Sequence, residues 1–193
     1  MKKSNHQILL IIDFGSQVTK LIARRLREKC IYCEIHPYHK ITELFLKTID
    51  PKAIILSGGP KSVNDNSSPK VSPFIYKLGI PILGICYGQQ LMMYQLGGKV
   101  ENGKSSAEFG RAFLEFRKET KLLKGWFQKD KEIVWMSHGD HVSKMPPEFE
   151  VYAVSQNAPH AVVADTKRNF YGVQFHPEVI HTSNGTILFE NFL

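Results

Sequence analysis

The stretch Ile80-Pro81-Ile82-Leu83-Gly84-Ile85-Cys86-Tyr87-Gly88-Gln89-Gln90 decides the fold. Ile80 to Leu83 is a short apolar run bounded by Pro and Gly, the pattern of a buried strand. Tyr87 to Leu96 reads as a helix that ends at Gly97-Gly98. A G-x-C-x-G between strand and helix is the cysteine form of a nucleophile elbow. Such a turn leaves no room for side chains at its flanks, which accounts for Gly84 and Gly88. It also sets the Cys86 sulfur at the first turn of a helix, where unpaired N–H groups and the helix dipole favour thiolate over thiol. The expectation is an enzyme built around one activated cysteine.

Upstream of the elbow, strands and helices alternate. Ile8 to Ile12 reads as a strand ending in Asp13-Phe14-Gly15-Ser16-Gln17. A helix follows, with Val18, Leu21, Ile22 and Leu26 at helical spacing. Ile31 to Ile35 reads as a strand, Ile41 to Ile49 as a short amphipathic helix and Ala53 to Leu56 as a third strand. A short helix is expected around Val71 to Leu78. This alternation implies parallel strands with right-handed crossovers, hence an α/β fold with a mostly parallel, doubly wound sheet flanked by helices.

Downstream the character changes. Lys99-Val100, Phe113 to Phe116, Ile133 to Met136, Val151 to Val154, Ala161 to Ala164 and Tyr171 to Phe175 are short strand-like runs separated by turns. They predict antiparallel hairpins attached to the main sheet in the C-terminal half. Thr186 to Leu193 reads as an apolar helix. No repeat, low-complexity segment or linker divides the 193 residues, so one domain is expected.

Composition sets the class. Hydrophobic content of 42% and charged content of 22% suit a globular protein. No apolar stretch approaches the ~20 residues of a membrane span. Met1 to His6 is basic, but the run after it is too short for a signal-peptide core and ends in Asp13. A cytoplasmic protein without membrane contact is expected. Three cysteines argue against a disulfide scaffold. Cys30-Ile31-Tyr32-Cys33 has C-x-x-C spacing, but it spans a helix end and a strand and has no second pair. It is read as ordinary thiols, and no metal site is expected. The net charge of +7 comes from scattered basic residues, read as a solvated surface rather than a nucleic-acid footprint.

A cysteine nucleophile needs a base, a group that orients the base, and donors for the oxyanion. Gln174-Phe175-His176-Pro177-Glu178 supplies the first two after an apolar strand. In extended chain, residues i and i+2 point the same way, so His176 and Glu178 can share a face, with Pro177 ending the ladder. Ser57-Gly58-Gly59-Pro60 ends another parallel strand, where a Gly-Gly turn lets backbone N–H groups approach a ligand. With the N–H of Tyr87 it suits an oxyanion hole. A pyrophosphate loop is disfavoured there, because Pro60 has no N–H to give a phosphate. Trp135-Met136-Ser137-His138-Gly139-Asp140 suits two readings equally: an ordinary turn, or a clamp in which Asp140 takes an ammonium and the turn backbone a carboxylate.

Together these residues resemble the class I glutamine amidotransferases. The elbow, the Ser57 to Pro60 turn and the Gln174 to Glu178 ending stand in that family's order. Asp13 to Gln17, the Cys86-Tyr87-Gly88 elbow, Glu108-Phe109-Gly110, Trp135 to Asp140 and Glu178-Val179-Ile180-His181-Thr182 are similar to motifs of the amidotransferase part of GMP synthetases. The resemblance implies a catalytic triad of Cys86, His176 and Glu178. It implies oxyanion donors at Gly59 and Tyr87, and L-glutamine held by Gly58, Gln90, Ser137, His138, Gly139 and Asp140. It further implies that residues 1–193 are a glutaminase domain without a cofactor of its own. ATP and Mg would belong to a partner, the GMP synthetase ATP pyrophosphatase domain or subunit, which is absent from this chain. Gln89 departs from the subfamily's Met. Two rival readings remain: another cysteine hydrolase on a similar sheet, such as a γ-glutamyl peptidase, and a non-catalytic binding module.

Overall fold

A computed structural model of the protein describes residues 7–103 and 107–193. The basic opening, Met1 to His6, lies outside them. The elements in chain order are β1 (Leu9–Asp13), α1 (Thr19–Glu28), β2 (Cys33–Pro37), α2 (Glu43–Ile49), β3 (Ala53–Leu56), β4 (Ile82–Ile85), α3 (Tyr87–Gln95), β5 (Lys99–Asn102), β6 (Glu108–Phe116), β7 (Lys131–His138), β8 (Asp140–Lys144), β9 (Glu150–Val154), β10 (Val162–Asp165), β11 (Phe170–Val173) and α4 (Thr186–Phe192).

Among the described residues, nine strands form one sheet in the order β2-β1-β3-β4-β11-β10-β9-β6-β7. From β2 to β11 all neighbours are parallel. From β11 to β7 they are antiparallel. The fold is therefore α/β, as the alternating first half predicts. The parallel strands are apolar throughout because both sheet faces are covered. Leu9 and Ile11 of β1 pack into the core beneath α1 and α4, whereas Leu10 and Ile12 pack into the core beneath α2 and α3. Each such fully buried side chain contributes about 1.5–3 kcal/mol.

Three local expectations need correction. β2 starts at Cys33 rather than Ile31, because the chain first closes α1: Cys30 takes φ 58°, and the N–H of Ile31 returns to the Leu26 carbonyl at 3.1 Å. The helix expected around Val71 to Leu78 is a 3₁₀ helix over Pro73–Lys77, capped by Ser72. Finally, β5 is not attached to the main sheet. It pairs with β8, a strand with no apolar alternation to announce it, in a separate ribbon. Val100 and Val142 of that ribbon pack into the core beneath α3.

One residue, Gly139, separates β7 in the sheet from β8 in the ribbon. The loops that follow β1, β3, β4 and β11 all leave from the carboxyl ends of parallel strands, the end at which α/β sheets bind ligands.

Candidate active site

Cys86 sits between β4 and α3 with φ 52° and ψ −109°, a conformation rarely adopted by a residue with a side chain. Its N–H is fixed to the Val173 carbonyl of β11 at 2.8 Å, and its carbonyl accepts from the Gln90 N–H at 3.1 Å. The two flanking glycines are sterically required. A Cβ on Gly84 would lie 2.7 Å from the Gln89 backbone, and one on Gly88 would lie 2.2 Å from the Leu56 carbonyl oxygen. The sulfur is nearly buried, and its thiol lies 3.6 Å from the Ser137 carbonyl oxygen.

His176 reaches the same place from beyond β11. The strand ends at Val173, and Pro177-Glu178 forms a turn, so the extended geometry expected for His176 and Glu178 is not what joins them. The turn nonetheless brings His176 Nδ1 to 2.8 Å from Glu178 Oε1. Glu178 is completely buried. The His176 ring is pushed up to about 10: burial opposes its charge, but hydrogen bonds and Coulombic attraction from Cys86 and Glu178 outweigh burial.

Thr182 braces this turn. Its hydroxyl donates to the His176 carbonyl at 2.6 Å and accepts from the Trp135 N–H at 3.1 Å, while the His176 N–H donates to the Trp135 carbonyl. Thr182 closes the Glu178 to Thr182 motif, but spacing alone gave it no role. From the other side, the Arg25 guanidinium donates to the Glu178 carbonyl at 3.1 Å.

Gly58 and Gly59 close in from β3. A Cβ on Gly58 would lie 3.1 Å from His176 Cε1, and one on Gly59 would lie 3.0 Å from the Phe14 carbonyl oxygen and 3.2 Å from Tyr87 Cγ. The Ser57 hydroxyl ties this loop to the one after β1, accepting from the Phe14 N–H at 3.1 Å. The Tyr87 hydroxyl anchors the elbow helix to the Pro69 carbonyl at 2.5 Å.

Two clefts meet at Cys86 and Gly59. One, of about 340 Å³, is lined by Gln90, Ser137, His138, Gly139 and Asp140. The other, of about 360 Å³, is lined by Gly15 to Val18, Trp135, His176 and Val179. Two larger cavities lie elsewhere, one along β6 and one at the amino ends of β1 and β3. Neither borders Cys86. In the first cleft the Asp140 carbonyl accepts from Gln90 Nε2 at 2.8 Å and faces His138 Nδ1 at 3.0 Å. Asn102 Nδ2 donates to Asp140 Oδ1 at 3.1 Å, whereas Asp140 Oδ2 is buried with no hydrogen-bond partner among the described residues. Gln90 also donates to Gln174 Oε1 at 3.1 Å. Nothing in the sequence marked Asn102.

The six residues from Trp135 to Asp140 are not a simple turn. Trp135 to His138 belong to β7, and Asp140 opens β8. Cys30 and Cys33 stand far from this site as unlinked thiols, one exposed and one buried. Among the described residues, no group of three His, Cys, Asp or Glu side chains is placed to hold a metal, and no helix is long and apolar enough to cross a membrane.

A family model described as glutamine amidotransferase class-I matches residues 10–193. A GMP synthase (glutamine-hydrolysing) from Dinoroseobacter shibae is 59% identical over 194 residues, covering all of this chain and 37% of that protein. One from Bradyrhizobium diazoefficiens is 53% identical, covering 98% of this chain and 34% of its own length. The chain thus spans little more than a third of the curated relatives it matches. Among solved structures, a protein assigned as one subunit of a GMP synthase from Thermoplasma acidophilum superposes with a TM-score of 0.85 at 28% identity, covering 98% of this chain and 94% of that one. A glutamine amidotransferase from Thermotoga maritima shares the fold with a TM-score of 0.73 at 24% identity, covering 91% and 78%.

Proposed function

The chain belongs to the class-I glutamine amidotransferase family, and on that premise we propose that it is the glutamine-hydrolysing domain of a GMP synthase. The observation that carries the reading is the convergence of Cys86, His176 and Glu178 beside a polar cleft that ends in Asp140.

The cleft suits glutamine by chemistry. Among the described residues Asp140 Oδ2 is a buried carboxylate oxygen without a partner, a costly arrangement that an α-ammonium group relieves. Gly58, Gln90, Ser137, His138 and Gly139 complete the hold on the amino acid. The Cys86 thiolate attacks the side-chain amide carbon, and the Gly59 and Tyr87 N–H groups receive the negative charge on the carbonyl oxygen. As that intermediate collapses, the C–N bond breaks and His176 gives its proton to the departing nitrogen, releasing ammonia and leaving a glutamyl thioester. Water then attacks the thioester carbon while His176 takes a proton from it. The C–S bond breaks, glutamate is released, and the Cys86 thiolate is regenerated beside the protonated His176. Glu178 holds the ring in one orientation and stabilises its positive form throughout.

The destination of the ammonia is carried by the relatives' name. On this reading a synthetase domain or subunit, with ATP and Mg of its own, uses it to convert XMP to GMP in the cytoplasm. Nucleic acid and membrane have no part in it.

The test is ammonia release from L-glutamine by the chain and by Cys86→Ala, with and without a matching synthetase, ATP and XMP. Release that requires Cys86 and rises with the loaded synthetase is the expected result. Absence of release from the assembled pair, with a γ-glutamyl peptide cleaved instead, would move the chain to the peptidase reading.

A further inference from the structure

We propose that Glu108 is a positioning residue for the amino-acid end of the cleft, acting on Asp140 through His138. The inference rests on the reading of Asp140 as the partner of the substrate's ammonium group.

Glu108 and His138 face each other across the β6–β7 ladder. Glu108 Oε2 lies 3.3 Å from His138 Nε2 and accepts from the Ser155 hydroxyl at 2.6 Å. Ser155 is itself fixed by the turn after β9: its hydroxyl accepts from the Ala158 N–H at 2.9 Å, and its own N–H donates to the Ala158 carbonyl at 3.0 Å. At the far side of the ring, His138 Nδ1 donates to the Asp140 carbonyl at 3.0 Å, the same oxygen that Gln90 Nε2 reaches at 2.8 Å. A continuous path therefore runs from Ser155 through Glu108 and His138 to the Asp140 backbone, and every member is nine-tenths or more buried.

Two physical points make this more than packing. A carbonyl accepts only, so Nδ1 is the donor in this contact, and the other ring nitrogen, Nε2, faces the Glu108 carboxylate. Burial works to raise the Glu108 carboxyl, yet hydrogen bonds from His138 and Ser155 keep it below the ordinary carboxylate range. The carboxylate thus sets the direction in which the ring donates. The Glu108 contact holds the His138 ring between a carboxylate on β6 and a backbone carbonyl at the start of β8. What it orients is the peptide that carries the Asp140 side chain, where Gly139 alone links the main sheet to the ribbon. Without Glu108, the carbonyl loses one of its two anchors and the carboxylate loses its fixed place in the cleft.

Glu108 lies on the binding side of Cys86, away from the His176–Glu178 pair, so its removal should weaken capture of the substrate and spare the reactivity of the sulfur. The probe is 6-diazo-5-oxo-L-norleucine, which carries glutamine's amino-acid head and alkylates a thiol with loss of dinitrogen. Labelling of Cys86 is followed by mass spectrometry over a range of reagent concentrations, beside iodoacetamide, which has no such head. Glu108→Ala is expected to raise the half-saturating concentration of the diazo ketone on the order of 10-fold, to leave its limiting rate within about twofold and to leave iodoacetamide labelling unchanged. Glu108→Gln keeps a hydrogen-bonding group opposite His138 Nε2 and should recover most of the loss. Ser155→Ala, which leaves the carboxylate in place, should shift half-saturation about threefold in the same direction. Half-saturation unchanged in both alanine variants, or equal slowing of both reagents in Glu108→Ala, would overturn the proposal. Asp140→Asn, measured in parallel, separates the two claims: unaltered half-saturation there would sink the ammonium reading itself.

Discussion

His176 Nδ1 stands 2.8 Å from Glu178 Oε1, while the second oxygen of that fully buried carboxylate has no hydrogen-bond partner among the described residues. The carboxylate is thus committed to the ring. Glu178→Gln keeps the shape and one acceptor but removes the charge that stabilises the imidazolium. Glutamine hydrolysis is expected to fall by about 10²- to 10⁴-fold with the fold intact. Ammonia release beside the thermal unfolding midpoint checks this. A wild-type rate in a folded Glu178→Gln would deny the carboxylate its role.

The same ring gives stability a pH dependence. His176 rises from an ordinary 6.5 to about 10 on folding, so the folded chain binds that proton more tightly than the unfolded chain. Its contribution to stability is complete below pH 6.5 and is lost as the pH rises through about 10. Urea unfolding across that window should show the decline, and His176→Gln should flatten it. A decline identical in both proteins would place its origin elsewhere.

Thr182 tests the brace beneath the ring. Thr182→Val removes the hydroxyl that serves both the buried His176 carbonyl and the half-buried Trp135 N–H and leaves those two backbone groups without that partner. A loss of about 2–3 kcal/mol in stability is expected. Turnover should fall more than the apparent affinity for glutamine, because the displaced group is the proposed base. Denaturant titration and a kcat-against-KM comparison together decide the matter.

The elbow glycines differ in what they meet. Gly88→Ala would press a methyl into the Leu56 carbonyl, and Gly84→Ala would press one into the backbone of α3. Both should cost at least 1–3 kcal/mol, Gly88→Ala the more, since backbone cannot step aside. Gly139→Ala meets nothing within 4 Å and should be mild by comparison. Circular dichroism melts of the three variants rank them.

The parallel half of the fold was legible because continuous apolar strands such as Ala53–Leu56, buried on both faces, leave a strong signal. The ribbon was not: β8 carries one apolar side chain, Val142, and its pairing with β5 crosses more than thirty residues. At the site, Cys86 stood out because a glycine lies two residues away on each side, and His176 and Glu178 because they flank Pro177. Their contact came through a turn rather than the extended chain that alternation suggested. Thr182, Asn102 and Glu108 act through hydrogen bonds to groups distant in sequence, which periodicity does not encode. The clamp was ambiguous for a related reason, since Gly139 is at once a turn residue and the junction of two sheets.

Cys86 holds a backbone geometry that glycine adopts freely and cysteine does not. The substitution that would abolish the proposed chemistry, Cys86→Gly, therefore relieves strain, and on that reading inactivation and robustness lie in the same direction at this one position. A lineage released from the need to split glutamine would drift toward glycine here and keep a sound, silent scaffold. The cysteine persists against that slope only while selection acts on the sulfur.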